Sequence, residues 1–131
     1  MTQREIEVIL ARQLADYLAM PIFIVDPRGV LLYYNEPAQR VLGLRFDETG
    51  ELPAEEWATM FQPTDATGNP IAPEGLPLMV ALTQRIPTHR RFWIRGLDGA
   101  LRHIQVTALP LIGLADRFLG AVAIFWEVLD K

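Results

Sequence analysis

The stretch Phe118 to Trp126 reads FLGAVAIFW and carries no charged side chain. In extended form, Leu119, Ala121, Ala123 and Phe125 fall on one face and Val122, Ile124 and Trp126 on the other. A strand that is apolar on both alternations belongs inside a sheet with a layer on each side. The run is far too short to cross a bilayer as a helix. The fold must therefore place this segment centrally and cover it twice.

The rest of the chain supplies the other strands and the cover. Residues Glu5 to Ala19 read as a helix, with Ile6, Ile9, Leu10, Leu14, Tyr17 and Leu18 recurring at helical spacing as one apolar stripe. Thr2 and Glu5 have capping-box spacing, and Pro21 ends the helix. A hairpin follows: Ile22 to Asp26, a turn at Pro27-Arg28-Gly29, and a return strand Val30 to Tyr34. Asn35 is placed to cap a short helix, Glu36 to Leu42, which Gly43 stops. Leu44 to Pro53 reads as loop, Pro53 to about Phe61 as a short helix, and Pro63 to Pro73 as a surface loop. Glu74 to Arg85 is predicted helical, with Leu78 and Leu82 four residues apart. Three strands close the chain: His89 to Arg95, Leu101 to Leu111 and Arg117 to Val128, joined by turns at Gly96 to Gly99 and Gly113 to Asp116. The 131 residues suit one domain. Helix, hairpin, short helices and three strands make an α+β class with a five-stranded antiparallel sheet.

Composition narrows the chemistry. There is no Cys and no Ser, so disulfides, thiolate metal sites and the usual nucleophiles are excluded. Net charge is −4. Arg90 lies on the opposite strand face from Arg91 and Arg95, so with Arg85 they form no continuous basic stripe for nucleic acid. The polar N-terminus is expected to be no signal peptide, and the expected location is cytoplasmic, with no membrane association. Glu55 and Glu56 open a helix, where its dipole accommodates them, and carry no acid–base assignment.

The run IFIVDPRGVLLYYNEPAQRVLG, with Asp26, Gly29, Asn35, Ala38 and Gly43, resembles the opening of PAS domains. EGLPLMVAL is similar to the PAS F-helix segment, RFWIRGLDGALRHIQVTALPLIG to the G and H strands around their Asp-Gly turn, and FLGAVAIFWEV to the final strand. The resemblance covers about Pro21 to Val128. It implies a PAS fold in which short helices cover one sheet face, a core domain over residues 21–131, and an N-terminal amphipathic helix over residues 1–20 that serves dimerisation or caps the sheet. It also implies a sensor or signalling module rather than an enzyme, acting through protein–protein contacts as a homodimer and on a signalling protein in trans. PAS domains of sensor kinases often continue through an Asp-Ile-Thr-like motif into a signalling helix. Here Trp126-Glu127-Val128 leads to Lys131, as expected of either a fragment or a free-standing module.

The same resemblance assigns candidate residues. Phe23 and Val25 share the inward strand face with Tyr34, and Leu42, Trp57, Phe61, Leu78 and Leu82 face them from the helices. These eight would line a pocket for a small apolar ligand, or equally fill the core with no void. Ile6, Ile9, Leu10, Leu14, Tyr17 and Leu18 are the dimer-interface candidates, and Asp26 and Asn35 are structural polar residues. No cofactor is predicted. A flavin–thiol adduct needs Cys, and haem in this family commonly takes a His from the F helix, which Glu74 to Arg85 lacks. His89 and His103 fall on strands. No metal site and no catalytic residue is assigned. The rival readings are a ligand-free dimerisation or adaptor domain, a haem-based sensor, and a small cone-fold dehydratase or isomerase.

Overall fold

A computed structural model of the protein describes residues 19–128 and, ahead of them, Leu10, Gln13, Leu14 and Tyr17. Five strands form one sheet: β1 (Ile22–Val25), β2 (Leu31–Tyr34), β3 (Thr88–Arg95), β4 (Leu101–Ile112) and β5 (Phe118–Glu127). Their spatial order is β2-β1-β5-β4-β3, and every neighbouring pair is antiparallel. The early hairpin thus adds to the late three strands through β1, which pairs with β5 from Ile22↔Ile124 to Val25↔Ala121. β5 lies at the centre, as its doubly apolar alternation requires.

The segment between β2 and β3 packs over one side of the sheet. It comprises α1 (Glu36–Leu42), α2 (Phe46–Thr49), α3 (Ala54–Met60), a 3-10 turn (Pro73–Gly75) and α4 (Pro77–Gln84). Their buried residues, among them Leu42, Trp57, Phe61, Leu78 and Leu82, form one core with Phe23, Val25, Phe92, Ile94, Ile104, Val106 and Phe125 of the sheet. The opposite sheet face carries a second, smaller cluster. Ile22 and Ile24 are buried there, with half-buried Tyr33, Leu111, Val122 and Ile124 around them. Trp126 on that side is 36% exposed, so the second face is only partly covered.

Asn35 and Asp26 are buried polar side chains, and both are bonded to backbone groups. Asn35 Oδ1 accepts from the Ala38 N–H at 3.2 Å, capping α1, and also from the Ile22 N–H at 3.0 Å. Its Nδ2 donates to the Met20 carbonyl at 2.9 Å. Asp26 Oδ1 accepts from the N–H groups of Arg28 and Val30 and so closes the β1–β2 turn.

Two stretches differ from expectation. The loop predicted over Leu44 to Pro53 contains the single-turn helix α2. Four residues do not hold a helix by propensity. Tertiary contact holds this one, since the Phe46 ring stands edge-on to Tyr33 and Tyr34 at centroid distances of 5.3 and 5.4 Å. The helix predicted over Glu74 to Arg85 is divided, because Leu76 precedes a proline and is extended (φ −74, ψ 138). The dimer candidates Leu10, Leu14 and Tyr17 are helical, while Ile6, Ile9 and Leu18 lie outside the described residues.

Two backbone positions set opposite tests. At Gly120 (φ 128), a Cβ would overlap the Val25 carbonyl oxygen, so β1 reaches β5 only across a bare glycine. Ala115 (φ 58, ψ 35) and Asp116 (φ 57) are left-handed in the β4–β5 turn, where glycine or asparagine is the relaxed choice. Gly120→Ala is expected to lower stability by more than about 2 kcal/mol. Ala115→Gly is expected to raise it by roughly 0.5 kcal/mol, since relief of left-handed strain outweighs the entropy of glycine. Urea unfolding of the two variants beside the parent checks both signs.

Candidate functional site

The core holds an apolar cavity of about 90 Å³ between the helices and the inner sheet face, open in part to the outside. Leu42 of α1, Trp57 and Ala58 of α3, Phe61, and Leu78 of α4 wall the helical side, with Pro63, Leu76 and Pro77 beside them. The sheet side is Phe23, Phe92, Ile94, Ile104, Val106, Ala123 and Phe125. All of these residues are buried. The only side-chain nitrogen or oxygen among them is the Trp57 Nε1, which donates to the Gly29 carbonyl at 2.7 Å. That bond ties α3 to the β1–β2 turn and holds the indole edge-on to Phe23 at 5.5 Å.

Of the eight pocket candidates, Phe23, Leu42, Trp57, Phe61 and Leu78 line this cavity. Val25, Tyr34 and Leu82 are buried in the same core but away from the cavity wall. Tyr34 stacks parallel on Phe23 at 5.8 Å and backs the wall. Its hydroxyl turns to the α1–α2 connection, donating to the Leu44 carbonyl at 2.8 Å, and burial raises its pKa. Phe23 apart, the sheet-side residues are not among the candidates. The alternation of Phe92 with Ile94, and of Ile104 with Val106, was the signal for them.

Haem and flavin do not fit these residues. His89 is exposed, with Nδ1 at 2.9 Å from the Thr107 hydroxyl, and His103 stacks on Trp93 at 4.5 Å on the far face of the sheet. Neither reaches the cavity, which offers no axial ligand for iron and no polar anchor for a flavin ring. Among the described residues, no group of three or more His, Asp or Glu is placed to hold a metal ion.

A second polar arrangement sits where the β3–β4 turn meets the end of β5. Arg102 donates two hydrogen bonds to Asp98, at 3.1 and 2.8 Å, and its Nε is 3.8 Å from a Glu127 oxygen. The Leu97 N–H donates to the carbonyl of Leu42, a cavity residue, at 2.9 Å. The turn is thereby joined to the C-terminal end of α1.

Unfilled apolar space of 90 Å³ costs a small domain at most roughly 2 kcal/mol. Ala123→Val adds two methyl groups on β5, where valine suits the backbone. It is expected to raise stability by about 0.5–1 kcal/mol, measured by thermal and urea unfolding. The Asp98 carboxyl yields a pH test. Hydrogen bonds from Arg102, then from the Ala100 N–H, lower its pKa from 3.8 to about 2. A pKa lowered on folding stabilises the folded state above pH 4 or so, and that contribution fades as pH falls towards 2. NMR titration of the carboxyl carbon should give a midpoint near 2, and Arg102→Ala should return it towards 3.8.

No family model and no curated protein sequence matches the chain. Solved structures do. The PAS domain of a protein from Colwellia psychrerythraea is similar with a TM-score of 0.65 at 15% identity, over 93% of this chain and 97% of that one. The PAS domain of nitrogen regulation protein NR(II) from Vibrio parahaemolyticus gives 0.64 at 15% identity, over 91% and 98%. The Rhodobacter sphaeroides LOV protein gives 0.71 at 16% identity, over 96% of this chain and 68% of that chain. The strand order, the helices on one sheet face and these likenesses agree: the chain has the PAS fold.

Proposed function

We propose that this chain is a cytoplasmic sensory signalling module without catalytic activity, acting through contact with a second copy of itself and with a partner in trans. The observation that carries the reading is the apolar surface ahead of the sheet. Leu10, Leu14 and Tyr17 lie on one helical face and are 57%, 61% and 86% exposed. An exposed apolar stripe of this kind marks an interaction surface. The stripe leads within a few residues into β1, whose Phe23 lines the cavity. A two-fold dimer is the commonest closed assembly and buries the same stripe on both copies. Among the described residues no helix is long and apolar enough to cross a membrane.

Signalling would follow from a population shift. A small apolar ligand in the core that prefers one arrangement of β1 and the preceding helix would favour that arrangement by its differential affinity. The rival reading, a dimerisation or adaptor domain without a ligand, draws support from the modest size of the cavity. Native mass spectrometry separates the two, since it reports bound small molecules together with subunit number.

Sedimentation equilibrium of the parent is expected to show a dimer. Leu14→Glu combined with Tyr17→Glu is expected to weaken dimerisation at least tenfold with an unchanged circular dichroism spectrum. A parent that stays monomeric at high concentration, or a double variant that dimerises as well as the parent, contradicts the proposal.

A further inference from the structure

We infer that the core cavity is a site for non-polar molecules of gas size, roughly three or four non-hydrogen atoms with no hydrogen-bonding group. This inference rests on the sensor reading for its role in signalling, and on the cavity alone for its chemistry. Size comes first. A dry protein cavity of about 150 Å³ takes the six carbons of benzene. Scaling to 90 Å³ leaves room for roughly three or four atoms. Drug-sized ligands occupy pockets of roughly 300 Å³ or more, so haem, flavin and fatty acyl chains do not fit within this volume.

Polarity comes second. A water molecule needs two or more polar partners to reside inside a protein. Here the single polar side-chain group of the wall, the Trp57 Nε1, is already bonded to Gly29. A hydroxyl, carbonyl or amine entering the cavity would give up its hydration for nothing. The cavity therefore selects against polar molecules of equal shape.

Rigidity comes third. The void persists because its walls are held from outside it. Trp57 is fixed by its bond to the β1–β2 turn, Phe23 is backed by the parallel ring of Tyr34, and Leu42 is held through its carbonyl to Leu97. Ala58 and Ala123, on opposite walls, are the small residues that leave the space. The ceiling on binding energy per atom limits such a ligand to a dissociation constant no tighter than about 4 × 10⁻⁵ M for four atoms and about 5 × 10⁻⁴ M for three. The site thus responds to abundant or freely partitioning non-polar solutes rather than to trace hormones.

The test uses the full chain, 15N-labelled, with xenon, isobutene and acetone as probes. Isobutene and acetone have the same shape and four non-hydrogen atoms each. Xenon and isobutene are expected to give saturable amide shifts centred on Ala58, Leu78 and Ala123, with acetone at least tenfold weaker. Ala123→Val and Ala58→Leu are expected to abolish the shifts while each keeps a dispersed, folded spectrum. The inference is overturned by absence of saturable binding of both xenon and isobutene, by acetone binding as well as isobutene, by stoichiometric uptake of haem or flavin mononucleotide, or by undiminished binding in whichever filled variant folds. The sensor reading has its own readout. If isobutene binds as described but leaves the dimer dissociation constant unchanged, the cavity assignment stands and the coupling to assembly falls.

Discussion

The architecture hangs on the side chain of Asn35. It is fully buried and joins three pieces of backbone: the Met20 carbonyl of the incoming chain, the Ile22 N–H at the start of β1, and the Ala38 N–H in the first turn of α1. β1 is only four residues long yet must bridge β2 and β5. A strand that short has little register information of its own beyond the alternation of its side chains. Fixing its first residue to the cap of the next helix supplies the missing constraint. Amide geometry matters here because the group must accept twice and donate once. A carboxylate has no donor, and a hydroxyl would have to serve all three partners from one atom, whereas the amide puts donor and acceptor on separate atoms.

The far end of β1 is fixed by shape instead. The Val25 carbonyl lies against Gly120, and Asp26 turns the chain by accepting two backbone N–H groups. Between these ends Phe23 faces the helices while Ile22 and Ile24 face the other side of the sheet. One short strand therefore borders both the cavity and the partly covered outer face. The cavity wall is fixed in part by a polar contact: the indole of Trp57 donates to the Gly29 carbonyl, and losing that bond would leave a buried donor unpaired.

Much of this was legible in the sequence, and the illegible parts share a cause. The doubly apolar Phe118 to Trp126 run placed β5 at the centre, and Asn35, Gly43 and the Pro-Arg-Gly turn marked the hairpin and α1. Periodicity reports which face a residue occupies but not its depth along that face. Val25, Tyr34 and Leu82 therefore share a core with the cavity residues without touching the void. Tyr34 illustrates the difference, since its hydroxyl needs a partner and finds it at Leu44, away from the apolar space. The turn of α2 was hidden because aromatic contacts from β2, not local propensity, hold it. The Asp98–Arg102 pair was hidden because a helix-like spacing of four here spans a hairpin turn, where the turn brings Asp98 back onto β4.

Few links join the cavity to the N-terminal and C-terminal sides of the sheet. From the cavity, Phe23 belongs to β1, and Asn35 joins the first residue of that strand, Ile22, to Met20 ahead of it. A second path runs from Leu42 through its carbonyl to Leu97, and from the adjoining Asp98 through Arg102 to Glu127 near the end of β5. The first path runs through a buried hydrogen bond at Ile22 and a part-buried one at Met20. The second ends in a partly exposed ion pair at 3.8 Å, where screening leaves little energy to transmit. Hydrogen bonds therefore tie the cavity wall through β1 to the N-terminal side of the sheet, while the link to the end of β5 closes on a long ion pair.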